Sequence, residues 1–138
     1  KCRIVGNNPP PEIKLMHNGH DFIVEGFVSD VRIPLSKCTV MILPLEIGAG
    51  FRSRIVEVMA LGIPVVGTHN ALDNVGLVNG KHCYVSDNDG DMADHLFDVL
   101  NDDEKRRLMS INCKEFVSKN FSLDSTFGKL AEYYSSLN

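Results

Sequence analysis

Residues 39–68, "TVMILPLEIGAGFRSRIVEVMALGIPVVGT", decide how this chain is read. The run 39–44 is apolar throughout, the pattern of a strand covered on both faces. The run 63–68, "IPVVGT", reads as a second strand. Between them, residues 51–61 carry apolar side chains at helical spacing and end on Gly62. Strand, helix and strand in that order imply two parallel strands joined by a right-handed crossover. Ligands of such sheets bind at the carboxyl ends of the strands, and the segment from Gly48 to Arg54 lies at one of those ends.

This helix starts against the usual rules. Gly48, Ala49 and Gly50 offer no side-chain acceptor where a capping residue would satisfy free N–H groups. Arg52 and Arg54 add positive charge to the end of the helix that is already positive, a cost of about 0.3–1 kcal/mol each. An anion placed there reverses both signs, because free N–H groups, helix dipole and guanidinium groups converge on it. The candidate anion-binding residues are therefore Gly48, Gly50, Phe51, Arg52, Ser53 and Arg54. The plainer alternative is a glycine-rich turn with solvated arginines.

Glu57 interrupts the apolar helix. Ile55, Val58, Met59 and Gly62 share one face and Val56 and Ala60 the next, so the helix reads as largely buried, where a carboxylate needs partners. Two readings compete: a structural ion pair with Arg54 or a solvated face, and an acceptor for sugar hydroxyls, such as a ribose, two turns from the anion. The segment 25–30, "EGFVSD", leaves another strand at the same sheet end. Backbone groups at Phe27 and Val28 can meet a base edge there, with Phe27 able to stack. The alternative is an apolar loop leading into a helix.

Working outward, strand and helix patterns alternate. Residues 2–6, 22–26 and 82–87 give three further strands, the first of them read as buried. Residues 9–19 read as a short helix with Pro near its start and Gly as its stop, and 29–38 as a short helical turn limited by Pro34. The stretch 69–80, rich in Asn and Gly, reads as a long loop. Three helical stripes follow: Met92, Ala93, Leu96, Phe97 and Leu100; Leu108, Met109, Cys113, Phe116 and Val117; and Leu123, Phe127, Leu130, Ala131 and Tyr134, the last with Ser122 as N-cap. The expected fold is α/β, a Rossmann-like open parallel sheet of about five strands with helices on both faces.

Composition sets limits. The 138 residues suit one domain, with 43% hydrophobic and 23% charged residues typical of a globular protein. A net charge of −4 gives no general attraction for nucleic acid or an anionic membrane. Cys2, Cys38, Cys83 and Cys113 have no metal-ligand spacing and read as buried free thiols in a reducing, cytoplasmic setting. No apolar run is long enough for a membrane span. The chain opens on a strand pattern without an initiator Met, and it is expected to be a fragment of a longer protein. His69 begins the loop after a strand and reads as an exposed loop histidine or a cleft residue; His17 and His20 read as surface residues, His82 and His95 as structural or surface ones.

The run 28–68, "VSDVRIPLSKCTVMILPLEIGAGFRSRIVEVMALGIPVVGT", resembles the donor-binding half of GT-B-fold glycosyltransferases of the large retaining group 4. The family pattern is matched by Gly48, Ala49, Gly50, Arg52, Arg54 in place of Lys, Glu57, Met59, Ala60, Gly62, Pro64, Val65 and Val66. The likeness is strong over 26–68 and diffuse elsewhere. It implies a nucleotide-diphosphate sugar, of UDP or GDP type, as donor. Helix-start amides, Gly50 through Ser53, would meet the diphosphate or sugar, Glu57 would hold ribose hydroxyls, and backbone near Phe27 and Val28 would meet the base. It implies no cofactor or metal, an acceptor-binding domain supplied by a missing N-terminal half, and a fragment inactive alone. The helix at 122–138 would pack on that half, and its apolar face, if uncovered, would favour a homodimer.

Three departures stand out. Many relatives carry a glutamate eight positions before the one matched by Glu57, contacting the donor sugar; Ala49 stands there. Val75-Gly76-Leu77 replaces a usual Glu-Gly-Leu. The family's usual Arg/Lys diphosphate clamp lies upstream of residue 1. The other functions to weigh are a sugar-nucleotide epimerase domain of related plan and a non-catalytic nucleotide-binding α/β module. A receiver-type module would need acidic groups at strand ends, which "IVGNN" and "ILPLE" do not supply.

Overall fold

In the computed structural model, which describes residues 1–48 and 50–136, the chain divides into two units, Lys1–Lys37 and Cys38–Asn138. The first unit is built on β1 (Cys2–Val5), α1 (Pro11–Leu15), β2 (Phe22–Glu25) and α2 (Arg32–Leu35). Pro11 opens α1 at its first position, where a missing N–H costs nothing. Asn18 then shapes the turn into β2: its Oδ1 accepts from the N–H groups of His20, Asp21 and Phe22, each at 2.9 Å. β1 and β2 pair in parallel, Cys2 opposite Phe22 and Val5 opposite Glu25. Neither is fully buried, so the expectation of a buried first strand is corrected. Pro34 falls inside α2, within the first turn, where its ring displaces no helix hydrogen bond.

The second unit holds β3 (Met41–Leu43), α3 (Ser53–Ala60), β4 (Val65–Gly67), α4 (His69–Leu72), β5 (Cys83–Val85), α5 (Asp89–Asn101), α6 (Asp103–Phe121) and α7 (Leu123–Ser135). Its sheet has the order β3-β4-β5, all parallel, with Met41 opposite Val65 and Val65 opposite Cys83. The five expected strands are thus present, a parallel pair in the first unit and a parallel triplet in the second. Within the triplet β4 is central, and Val65 and Val66 are wholly buried. β3 is an edge strand of the triplet, and Ile42 is 38% exposed. The strand covered on both faces is therefore β4, which corrects the reading of 39–44.

The core forms where α3, α5 and α6 bury their apolar residues with β4. Ile55, Val58 and Met59 of α3 are fully buried. Val66, Met92, Val99 and Met109 form one cluster, flanked by Val40 and Tyr84. On α5 the buried positions are Met92 and Val99, two turns apart, while Ala93, Phe97 and Leu100 face out. The expected stripe was therefore out of phase, because Val99 rather than Phe97 continues from Met92. On α6 Met109 and Cys113 are buried as expected, but Leu108 is exposed. Side-chain caps set the helix starts: Asn88 for α5, Asp102 for α6, and Ser122, whose Oγ accepts from Ser125 N–H at 3.1 Å, for α7.

α4 lies inside the stretch read as loop. Thr68 makes it, its Oγ1 accepting from Ala71 N–H at 3.1 Å. All four cysteines are free; Cys83 and Cys113 are buried, whereas Cys2 and Cys38 are only half-buried, which corrects the reading of those two. Burial pushes the Cys83 thiol up to about 11 and that of Cys113 up to about 12. Among the described residues no helix is long and apolar enough to cross a membrane.

Candidate functional site: the start of α3

Two glycines place the start of α3. Gly48 has φ +136 and Gly50 has φ +96, conformations in which a side chain would be strained. Arg52 occupies the N-cap position with φ −103 and ψ 89, and no side chain caps the helix. Among the described residues, no acceptor is bonded to the backbone N–H of Ser53 or Arg54. Among the described residues, the start of α3 therefore has backbone donors with no bonded acceptor. It lies beyond the carboxyl end of β3, on the side of the sheet where β4 and β5 also end.

Arg52 does not extend freely into solvent. Its Nη2 donates to the Asn70 carbonyl at 3.4 Å, and the group lies across Gly48. A Cβ on Gly48 would stand 2.8 Å from that Nη2. Gly48 is thus needed for the closeness of the guanidinium as well as for its own backbone angle. Leu45 supplies the next link, its carbonyl accepting from Thr68 Oγ1 at 2.7 Å and from Asn70 Nδ2 at 3.3 Å. The loop before α3 is so tied to the start of α4.

Arg54 and Glu57 form an ion pair, Nη1 to Oε2 at 2.8 Å. Glu57 is about half exposed, with Ala60 on the same outer side, so α3 buries one face rather than most of its circumference. This corrects the expectation of a carboxylate inside a buried helix. An exposed pair of this kind is worth at most about 1 kcal/mol and leaves both side chains accessible to a ligand. The Phe51 ring packs against Phe121 at the end of α6, centroids 5.6 Å apart, leaving its backbone for any anion contact. Ser53 is exposed. Gly48, Gly50, Phe51, Arg52, Ser53, Arg54 and Glu57 all belong to the second unit.

Phe27 and Val28 belong to the first unit. Phe27 is exposed, and with Gly26, Asn7, Asn8, Lys14 and His17 it lines an open cleft of about 540 Å³. Val28 is half-buried. His17, read as a surface residue, is bonded to β2: its Nδ1 accepts from Val24 N–H at 3.0 Å.

Four polar residues lie at the sheet's carboxyl rim: His69, one of whose two readings was a cleft residue, and Thr68, Asn70 and Asp87, which sequence reasoning missed. His69 donates its backbone N–H to Asp87 Oδ1, and its ring Nδ1 lies 2.8 Å from Oδ2. The backbone N–H, followed by the ring, holds the Asp87 carboxyl below its ordinary value. Thr68 had a readable signal, a threonine opening a helical turn directly after a strand. Asn70 had none, since its partner Leu45 is 25 positions away. His82 is buried against Phe116, centroids 4.7 Å apart, and its Nδ1 accepts from Val78 N–H at 3.0 Å. Its role is structural, as one of the two readings had it.

Solved structures with this architecture include glycosyltransferase-type domains. Anabaena Alr3699/HepE, crystallised with UDP-glucose, matches over 97% of this chain with a TM-score of 0.76 and 20% identity. The C-terminal domain of the glycosyl transferase group 1 family protein LpcC from Francisella tularensis matches over 81% of the chain, with a TM-score of 0.65 and 22% identity. TarM matches over 94% with a TM-score of 0.75 and 17% identity. These likenesses establish the Rossmann-like fold of GT-B neighbours. The chain spans 40% of the HepE chain, 60% of the LpcC domain chain and 28% of TarM. No curated protein matches it. Residues 1–102 match the family model described as glycosyl transferases group 1, and the chain belongs to that family.

Proposed function

We propose that this chain is the donor-binding half of a retaining, GT-B-type glycosyltransferase of group 4, which moves a sugar from a nucleotide-diphosphate donor to an acceptor. One observation carries the reading: α3 begins without a side-chain cap, with the N–H groups of Ser53 and Arg54 bonded to no described acceptor, and with Arg52 beside them. A diphosphate supplies the missing acceptors and the opposite charge. HepE has been crystallised with UDP and with UDP-glucose, which supports a UDP-type donor for this relative.

In this reading Gly48 and Gly50 let the diphosphate approach the backbone, and Arg52, Ser53 and Arg54 bind it. Glu57 accepts from the ribose hydroxyls, exchanging part of its bond to Arg54 for them. Phe27 and Val28 meet the base. The chain's catalytic contribution is electrostatic, stabilising the diphosphate as it departs. An acceptor-binding half completes the active site, and no metal or cofactor takes part.

Calorimetric titration with UDP and with inorganic pyrophosphate tests the assignment. Arg52→Ala is expected to weaken both ligands, by about tenfold for a charge-assisted contact. Glu57→Gln is expected to weaken UDP and leave pyrophosphate nearly unchanged. Equal affinities for the native chain and both variants would contradict the site.

A further inference from the structure

The Arg52 side chain is held before any ligand arrives, and the group that holds it lies outside the glycine-rich motif. Its Nη2 donates to the Asn70 carbonyl at 3.4 Å. Its other flank is Gly48, where even a methyl group would come within 2.8 Å. The Asn70 side chain donates to the Leu45 carbonyl at 3.3 Å. Thr68 Oγ1 donates to the same carbonyl at 2.7 Å. One carbonyl of the loop before α3 therefore fixes the start of α4, and the start of α4 fixes Arg52.

We infer that Asn70 is a positioning residue for the anion site, tying the start of α4 to the β3–α3 loop so that the Arg52 guanidinium is held in a slot between Gly48 and the Asn70 carbonyl. The inference rests on the proposed reading of α3 as a diphosphate site. Its physical basis is the mobility of the alternative. A glycine-flanked loop and a four-bond arginine stem otherwise sample many conformations, and binding would have to remove them. The slot removes much of that freedom in advance.

The measurement is a double-mutant cycle on pyrophosphate affinity, using the whole chain. Asn70→Ala removes the bond to Leu45 and leaves the Asn70 backbone carbonyl, so the variant tests the tether rather than the acceptor. Asn70 is half-buried and second in a four-residue helix, and the variant's melting temperature is expected to stay close to native. Asn70→Ala is expected to weaken pyrophosphate by about threefold to tenfold, the range for one lost hydrogen bond. In the Arg52→Ala background the same substitution is expected to change nothing further. Asn70→Ser, which keeps a donor, is expected to recover part of the loss. Losses that add in the double variant, or native affinity in Asn70→Ala, would overturn the inference while leaving the site reading intact. Native affinity in Arg52→Ala itself, or no pyrophosphate binding by the native chain, would overturn both.

Discussion

At Gly62 the backbone takes φ +76, and an added Cβ would lie 2.4 Å from Lys114 Cε and 2.5 Å from Ser110 Oγ. The position closes α3 in a Schellman motif: Ile63 N–H reaches the Val58 carbonyl at 3.2 Å and Gly62 N–H the Met59 carbonyl at 2.8 Å. Gly62→Ala is expected to lower unfolding stability by about 1–3 kcal/mol, combining backbone strain with displacement of α6 side chains. Gly128 is the control, since it is helical with open space around its Cα. Gly128→Ala is expected to raise stability by about 0.5–1 kcal/mol. Urea titration of both variants measures the two signs. A single residue also sets a pH dependence. Burial holds His82 below the ordinary histidine value, so the folded state keeps it neutral where the unfolded chain takes up a proton. Its contribution is present in full above about pH 6.5 and is lost as pH falls through the lower folded value. Unfolding free energies measured between pH 7.5 and 5 are expected to fall on the acid side, and His82→Gln is expected to flatten that slope.

At the scale of the element, α3 combines a well-made end with a poorly made start. Its C-terminus is closed by Gly62, and its buried face, Ile55, Val58 and Met59, is fixed in the core. Ile55→Ala is expected to cost about 2–5 kcal/mol, through lost burial and the cavity left behind. The start is the reverse case. Placing Asp at the N-cap, as Arg52→Asp, supplies the missing acceptor and corrects the charge, and is expected to raise stability by about 0.5–2 kcal/mol. The same change is expected to abolish pyrophosphate binding. Thermal melts and titrations on this one variant test both signs, and a variant neither stabilised nor impaired in binding would count against an anion site. This element was also the most legible part of the sequence. The missing cap, the two arginines and the Gly stop are local signals, and each has a local consequence. The expected burial around Glu57 is absent, because burial around a helix depends on which neighbours arrive and α3 buries one face only, while the alternative reading, an exposed ion pair with Arg54, is present. α4 escaped notice for a related reason. Four residues cannot show a period, and the cap at Thr68 is also engaged with Leu45, across the sheet end.

For the molecule as a whole, alternation of strand and helix was enough to give the α/β class and parallel pairing. It did not reveal that the strands pair as β1-β2 and β3-β4-β5, or that β4 is the central member of the triplet. Both are set by which strands come together, and an apolar run reads the same at an edge as at a centre. The network joining Leu45, Thr68, Asn70 and Arg52 was illegible for the same reason, because it joins residues from different connections at one sheet end. The diphosphate site proposed at the start of α3 rests on N–H groups that have no bonded acceptor among the described residues. The direct measurement is an amide-resolved NMR titration with UDP and with inorganic pyrophosphate. The Arg52, Ser53 and Arg54 amide resonances are expected to move and saturate with both ligands, and to stop moving in Arg52→Asp. Saturating shifts elsewhere in the chain, with these three amides unmoved, would contradict the proposed site.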